Sequence, residues 1–448
     1  VGGLSRIKTI KRDIEEKENK EVLFLDNGDT FHGTYFAVNN NGKDIIDITN
    51  NLGLSAMTAH WEFAYGPKGF KEIAERLNYP VIANNIYIEK TKKKFFPSHI
   101  IKDIGGLKVG IVGIASNIVD KTMPKHFSEG LKFTLGKDEL KASVDTLKNK
   151  ENVDLVVLLS HLGFPQEVAL LEKVDGVDVC LSGHTHNRLY KPVIVNNTII
   201  MQSGSHGSFL GRLDIKVKDK KISDFKHKLI EVSQDIKKDE EIQKIIDNKY
   251  EDNKEYLETV LGRTVTPLDR GGSLETTMDN FLLDAMADQT DTKISFSNGW
   301  RYGAPIERGN ITVNDLYNIV PTNPEIMTTI MTGGEIYEMV EENLENTFSR
   351  DPFSQMGGYI KRSKGINVYF KAENPKETRI QELFVLGDKV DPSSKKEYKV
   401  SFITVQGVPV KFGENRKKSG IKMIDALKNY TKKKEVVEIN FRNSYVLV

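Results

Sequence analysis

Cysteine is all but missing from this chain: Cys180 is the only one among 448 residues. A lone thiol excludes a disulfide framework and a thiolate metal site, and its place in the apolar run Val177-Asp178-Val179-Cys180-Leu181 reads as a small buried strand residue. An excess of charge of either sign is missing too. With 64 Lys and Arg against 63 Asp and Glu, the net charge is +1, so no global field draws the protein to nucleic acid or anionic lipid, and a small anionic substrate must be met by a local site. Long apolar runs are also wanting. None approaches the roughly 18 residues of a membrane-spanning helix. The charged opening, Arg6 to Lys20, has no apolar centre of the kind a secretory signal carries.

What is present is alternation. At about 100 to 200 residues per domain, the length suggests two domains, each able to bury a core. In the first half, short apolar runs alternate with amphipathic charged stretches, the pattern of an α/β layer fold. Val22 to Leu25, Val109 to Ala115, Val153 to Ser160, Val177 to Leu181 and Thr198 to Gln202 read as buried strands, with Gly69 to Leu77 and Asp138 to Lys148 as covering helices. From Ile222 to Leu261 dense charge carries apolar residues at helical spacing, such as Ile242, Ile245, Ile246 and Tyr250, which predicts a connecting helix over 226–258. The domains are then expected at 1–225 and 259–448, the second an α+β unit with helices near Thr277 to Ala287 and Gly334 to Asn346.

In open α/β sheets ligands collect beyond the carboxyl ends of strands, and here those positions are rich in metal-ligand residue types. Asp26-Asn27-Gly28-Asp29 follows the first strand, and a carboxylate such as Asp29 can bridge two cations. Ser160-His161 follows another, and Ser182-Gly183-His184-Thr185-His186 a third. If that last segment is extended, His184 and His186 project to one side, with Gly183 allowing a tight turn. A single histidine of this kind is more often structural. Three of the nine in the chain, each directly after a predicted strand, point instead to a metal site. His60, in His60-Trp61-Glu62-Phe63-Ala64-Tyr65-Gly66, is a further candidate ligand, and Glu62 a candidate to orient one.

These segments resemble the calcineurin-like metallophosphoesterases, specifically the 5'-nucleotidase family with its C-terminal substrate domain. The resemblance runs from Gly2-Gly3-Leu4-Ser5-Arg6 through Gly28-Asp29, His60 to Gly66, Ser160-His161, Gly183 to His186 and Gln202 to Gly211, to Gly262-Arg263 and Asn298-Gly299-Trp300-Arg301. It implies a four-layer αββα metallophosphoesterase domain followed by an α+β 5'-nucleotidase C-terminal domain. It also implies two divalent metal ions, manganese or zinc, with Asp29 bridging them, His161 and His184 on one, His186 on the other, and His60 in the place of a metal-binding asparagine. Asp29, His60 and Glu62 are then the catalytic candidates. The family's first motif, Asp-x-His on an opening strand, is expected ahead of Gly2-Gly3. Without it one metal lacks two ligands, and these residues alone are expected to be inactive.

Other departures bear on the substrate. Trp61 stands where the family has a histidine that stabilises the transition state, and an indole cannot donate as an imidazolium does. Thr322 stands where an aromatic residue would stack a nucleobase, and Trp300 or Tyr359 is the candidate replacement. Asn298 and Arg301 are the candidates to clamp a substrate oxyanion, since a guanidinium fork suits one; Arg270 and Arg362 are weaker candidates. His-Trp-Glu-Phe-x-Tyr-Gly, Asn-Gly-Trp-Arg-Tyr-Gly and Gln-x-Gly-Gly are similar to one branch, the dimanganese thiosulfohydrolases of bacterial sulfur oxidation, which act on a carrier-protein cysteine. The first expectation is therefore hydrolysis of nucleotide phosphate monoesters, the alternative a sulfur-ester hydrolysis, and a third a non-catalytic metal-binding relative.

Overall fold

The computed structural model describes residues 2–357 and 359–448, so Gly358 of the Gln-x-Gly-Gly segment lies outside the described residues. Two compact units are present. The first comprises Val1–His32, Asn39–Lys121 and Lys125–Asp252, the second Gly33–Val38, Thr122–Pro124 and Asn253–Val448.

In the first unit, β1 (Leu25–Asp26) pairs in parallel with β2 (Ala56–Met57). Among the described residues a six-stranded sheet is built from β3 (His99–Ile104), β4 (Leu107–Ile114), β5 (Leu155–Ser160), β6 (Val179–Leu181), β7 (Val193–Val195) and β8 (Thr198–Met201). Its order is β3-β4-β5-β6-β8-β7. The central strands β4, β5, β6 and β8 are parallel neighbours, so their carboxyl ends emerge on one side. Strand β5 reads Leu-Val-Val-Leu-Leu-Ser and is buried throughout, as expected of a parallel strand covered on both faces.

A long hairpin, β9 (Phe209–Lys218) and β10 (Lys221–Glu231), packs on this sheet. Leu213, Ile215, Val217 and Ile222 of the hairpin share one apolar cluster with Ile111, Val157 and Val179. Its other face meets the helix Leu4–Lys17, whose Ile7, Ile10 and Ile14 lie at helical spacing and pack with Leu210, Ile230 and Val232. Each such isoleucine contributes about 1.5–3 kcal/mol on burial. The helix Lys137–Asp145 carries buried Leu140 and Val144, and the Leu147 that follows it lies against Gly110 of β4. The succession is helix, hairpin, sheet, helix, the four layers expected.

Two expectations fail here. Ile222 to Glu231 is strand, not the start of a helix: its apolar spacing looks helical, but the two-residue turn Asp219-Lys220, both left-handed at φ 52 and 57, locks it against β9. The helix that does follow, Glu240–Glu251, belongs to the first unit and is held to the helix Leu4–Lys17 by Ser5 Oγ donating to Gln243 Oε1 at 3.0 Å. Val22 to Phe24, expected as strand, also lie outside the ladder; only Leu25 and Asp26 are paired.

The second unit holds a mixed sheet in the order Arg362–Lys364, Ile294–Ser297, Glu397–Ile403, Glu325–Thr332, Glu414–Lys422. Thr332 opens the helix Gly333–Phe348 with a capping box to Glu335. Ile336, Met339, Val340 and Leu344 on that helix bury against Phe296, Val400 and Phe402.

Candidate metal centre

Four segments deliver side chains to one place because parallel strands end together. The pairing of β1 with β2 sets Asp26 beside Met57, so the chain after each supplies Asp29 and His60. Strands β5 and β6 end at Ser160 and Leu181, just before His161 and His184. One ligand atom from each of Asp29, His60, His161 and His184 lies within 4.8 Å of all the others.

Asp29 is the hub. Its Oδ1 lies 3.0 Å from His60 Nδ1 and accepts the Trp61 backbone N–H at 3.0 Å, while Oδ2 lies 3.1 Å from His161 Nε2. Burial works to raise its pKa, but His60 and His161 outweigh that and hold it well below the usual carboxylate range. Burial likewise works against a charged His161, yet Asp29 prevails and raises it to about 9. Glu62 is fully buried and knits the two turns together: Oε1 accepts the Thr30 N–H at 2.7 Å, and Oε2 accepts the His60 N–H at 2.8 Å.

The backbone around these groups is unusual. Asp29, His184, His186 and His206 have φ of 62, 67, 58 and 60, a left-handed conformation that costs L-residues energy and concentrates at functional sites. The segment carrying His184 and His186 is therefore not extended, as the sequence suggested. His184 turns into the cluster, whereas His186 lies outside that group of four, with its ring 6.0 Å from that of His206. Gly183 has an ordinary φ; what it supplies is room, because a Cβ there would lie 3.0 Å from His161 Nδ1. Gly28 is needed for both reasons: φ is 89, and a Cβ would sit 2.7 Å from the Thr58 carbonyl.

Three contributors were not singled out from sequence. Gln202, just past β8, donates from Nε2 to Ser182 Oγ at 2.6 Å and to the Gly183 carbonyl at 2.7 Å, and its Oε1 accepts from Asn187 N–H, so it holds the His184–His186 turn. Asn27 ties Asp29's turn to β5 and β6. His32 stacks on Trp61, ring centroids 5.5 Å apart and 14° from parallel, and burial lowers its pKa to about 4. Position after a strand end was the signal available for Gln202.

The remaining candidates lie in the second unit. Arg301 covers the ring of Tyr359, its guanidinium carbon 3.6 Å from the centroid, and Trp300 is 5% exposed with Nε1 donating to Gln406 Oε1 at 3.4 Å. The Trp300 ring is thus packed away, and one face of Tyr359 is occupied by a cation. Arg270 and Arg362 are committed to structure: Nε of each donates to Asp279, at 3.0 and 2.9 Å, and all three side chains are buried. Asn298 directly follows the strand Ile294–Ser297, at the start of this loop.

Residues 1–188 match the calcineurin-like phosphoesterase family, and residues 258–404 match the 5'-nucleotidase C-terminal domain. Residues 1–188 thus form a calcineurin-like phosphoesterase domain and residues 258–404 a 5'-nucleotidase C-terminal domain, the two-domain architecture expected. Among its relatives, the trifunctional nucleotide phosphoesterase YfkN of Bacillus subtilis is 24% identical, over 87% of this chain and 30% of that protein. The chain thus spans under a third of that relative's length. The 5'-nucleotidase of Mus musculus is 27% identical, over 86% of this chain and 73% of the relative. Among solved structures, the sulfate thiohydrolase SoxB of Thermus thermophilus superposes with a TM-score of 0.93 at 26% identity, covering 100% of this chain and 83% of that one.

The donor set of this centre suits a divalent cation. Three imidazoles and a carboxylate, one ligand atom from each within 4.8 Å of all the others, give a nitrogen and oxygen mixture of the kind such a cation accepts.

Proposed function

We propose that the protein hydrolyses phosphate monoesters of nucleotides at a centre of two divalent metals, manganese or zinc, that Asp29, His60, His161, His184 and His186 would hold. The convergence of Asp29, His60, His161 and His184 carries this reading. A cation held there supplies Lewis-acid charge and lowers the pKa of water. The chain's own residues do the rest. Glu62 keeps the Asp29 turn and His60 at fixed separation, Gln202 holds the His184 turn, and His32, neutral at pH 7, presents an imidazole beside Trp61. We assign Arg301 and Asn298 to the substrate's anionic group, and Trp300 and Tyr359 to shaping the loop around it.

We assign His186 to the second metal.

A second reading, hydrolysis of a sulfonate ester on a carrier-protein cysteine, is favoured by Trp61 and by the Arg301 guanidinium over Tyr359, where a base would otherwise stack. The protein, assayed in manganese against AMP and against an S-sulfonated cysteine peptide, separates the two. Phosphate release from AMP is expected. Cleavage of the peptide alone transfers the assignment to the second reading.

A further inference from the structure

Asn27 lies between the last residue of β1 and the Gly28-Asp29 turn, and an Asn-Gly pair in such a place ordinarily serves its own turn. Here its side chain does something else. The amide donates to the Ser160 carbonyl at 2.9 Å and to the Leu181 carbonyl at 2.7 Å, partners 133 and 154 residues away. Those carbonyls belong to the last residues of β5 and β6, where the parallel ladder between them ends. The Asn27 carbonyl completes the arrangement, accepting from His161 Nδ1 at 2.6 Å, which leaves Nε2 directed at Asp29. Packing is equally tight. A Cβ on Gly183, the residue before His184, would lie 3.1 Å from Asn27 Cβ.

One residue therefore touches the chain on both sides of the centre. It closes the ends of the strands that lead to His161 and His184, orients the His161 ring, and stands two residues from Asp29. We propose that Asn27 is a positioning residue that sets the mutual placement of Asp29, His161 and His184, and so the affinity of the centre for its cation. This rests on the reading of these residues as a metal centre. Mutation of groups that orient metal ligands typically weakens binding by about 10- to 100-fold.

The test uses Asn27→Ala, Asn27→Ser and a control, Asn85→Ala. Asn85 is another buried asparagine, donating to the Ala115 and Thr134 carbonyls at 2.9 Å each, with no part in the cluster. Manganese affinity is measured by titration calorimetry, and in the metal-free protein the exchange rate of the His161 Nδ1–H proton is followed by NMR. Asn27→Ala is expected to weaken manganese binding about tenfold or more and to speed exchange of that proton, with Asn27→Ser, which keeps one donor, between it and wild type. Asn85→Ala is expected to lower the melting temperature without either effect. Wild-type affinity and unchanged exchange in Asn27→Ala would overturn the proposal, as would equal weakening in Asn85→Ala. If wild type binds no manganese, the metal reading fails, while the exchange rate in the metal-free protein still decides whether Asn27 positions His161.

Discussion

His161 Nε2 lies 3.1 Å from Asp29 Oδ2, and the two groups set each other's protonation. His161 is raised from 6.5 to about 9, so its contribution to stability is complete below pH 6.5 and is lost as pH climbs through 9. Asp29 is depressed, so its contribution holds above its ordinary 3.8 and is lost in more acid solution. In the metal-free protein the pair therefore stabilises most between about pH 4 and 6.5.

Cation uptake must displace the proton that Asp29 keeps on His161. Near pH 7.5, manganese binding is expected to release a proton, and its apparent affinity to rise with pH until about 9. Calorimetry in two buffers of different ionisation enthalpy reads this directly. Binding heats that do not depend on the buffer would contradict it.

Glu167 is fully buried and accepts the Gly163 N–H at 3.3 Å, while burial pushes its carboxyl from 4.5 up to about 7. A raised acid pKa means that ionisation opposes folding, at a cost that grows from pH 4.5 and levels off above 7. Glu167→Gln is thus expected to leave stability unchanged at pH 4.5 and to increase it by up to about 3 kcal/mol at pH 8. Urea denaturation at the two pH values measures the difference.

Asp279 is the shared counter-charge of two buried arginines, and Thr276 Oγ1 also donates to it, at 2.7 Å. Burial favours its neutral form, but Arg270 and Arg362 keep it ionised. Asp279→Asn strands two buried cations and is expected to cost about 3–5 kcal/mol or more. Arg270→Met leaves the Asp279–Arg362 pair intact and should cost distinctly less. Equal loss in the two variants, read from denaturant midpoints, would refute this asymmetry.

Much of the first unit was legible because its strands are buried on both faces. β4, β5, β6 and β8 stood out as apolar runs, with His161 and His184 sought after β5 and β6; these do meet Asp29 and His60, which follow β1 and β2. What sequence could not supply was backbone handedness. His184 and His186 lie two residues apart, which in a strand means one face, but left-handed φ at both sends them to different places. Nor could spacing reveal that Ile222 to Glu231 would be a strand, since its apolar residues recur at three and four and only the Asp219-Lys220 turn decides the matter. Asn27 was hidden for a related reason: its partners, Ser160 and Leu181, are distant in sequence and are met through their carbonyls, which no residue type encodes. In the second unit, Arg301 and Tyr359 were read separately, and their stacking on one another is a tertiary fact.

The most direct measurement of the central assignment is inorganic phosphate released from AMP by the protein in manganese, wild type beside Asp29→Asn. Steady release by wild type, with a loss of at least about a hundredfold in the variant, is expected of a reaction that depends on the Asp29 hub. Equal release by the two proteins, or no release from any nucleotide by a manganese-loaded wild type, would contradict it.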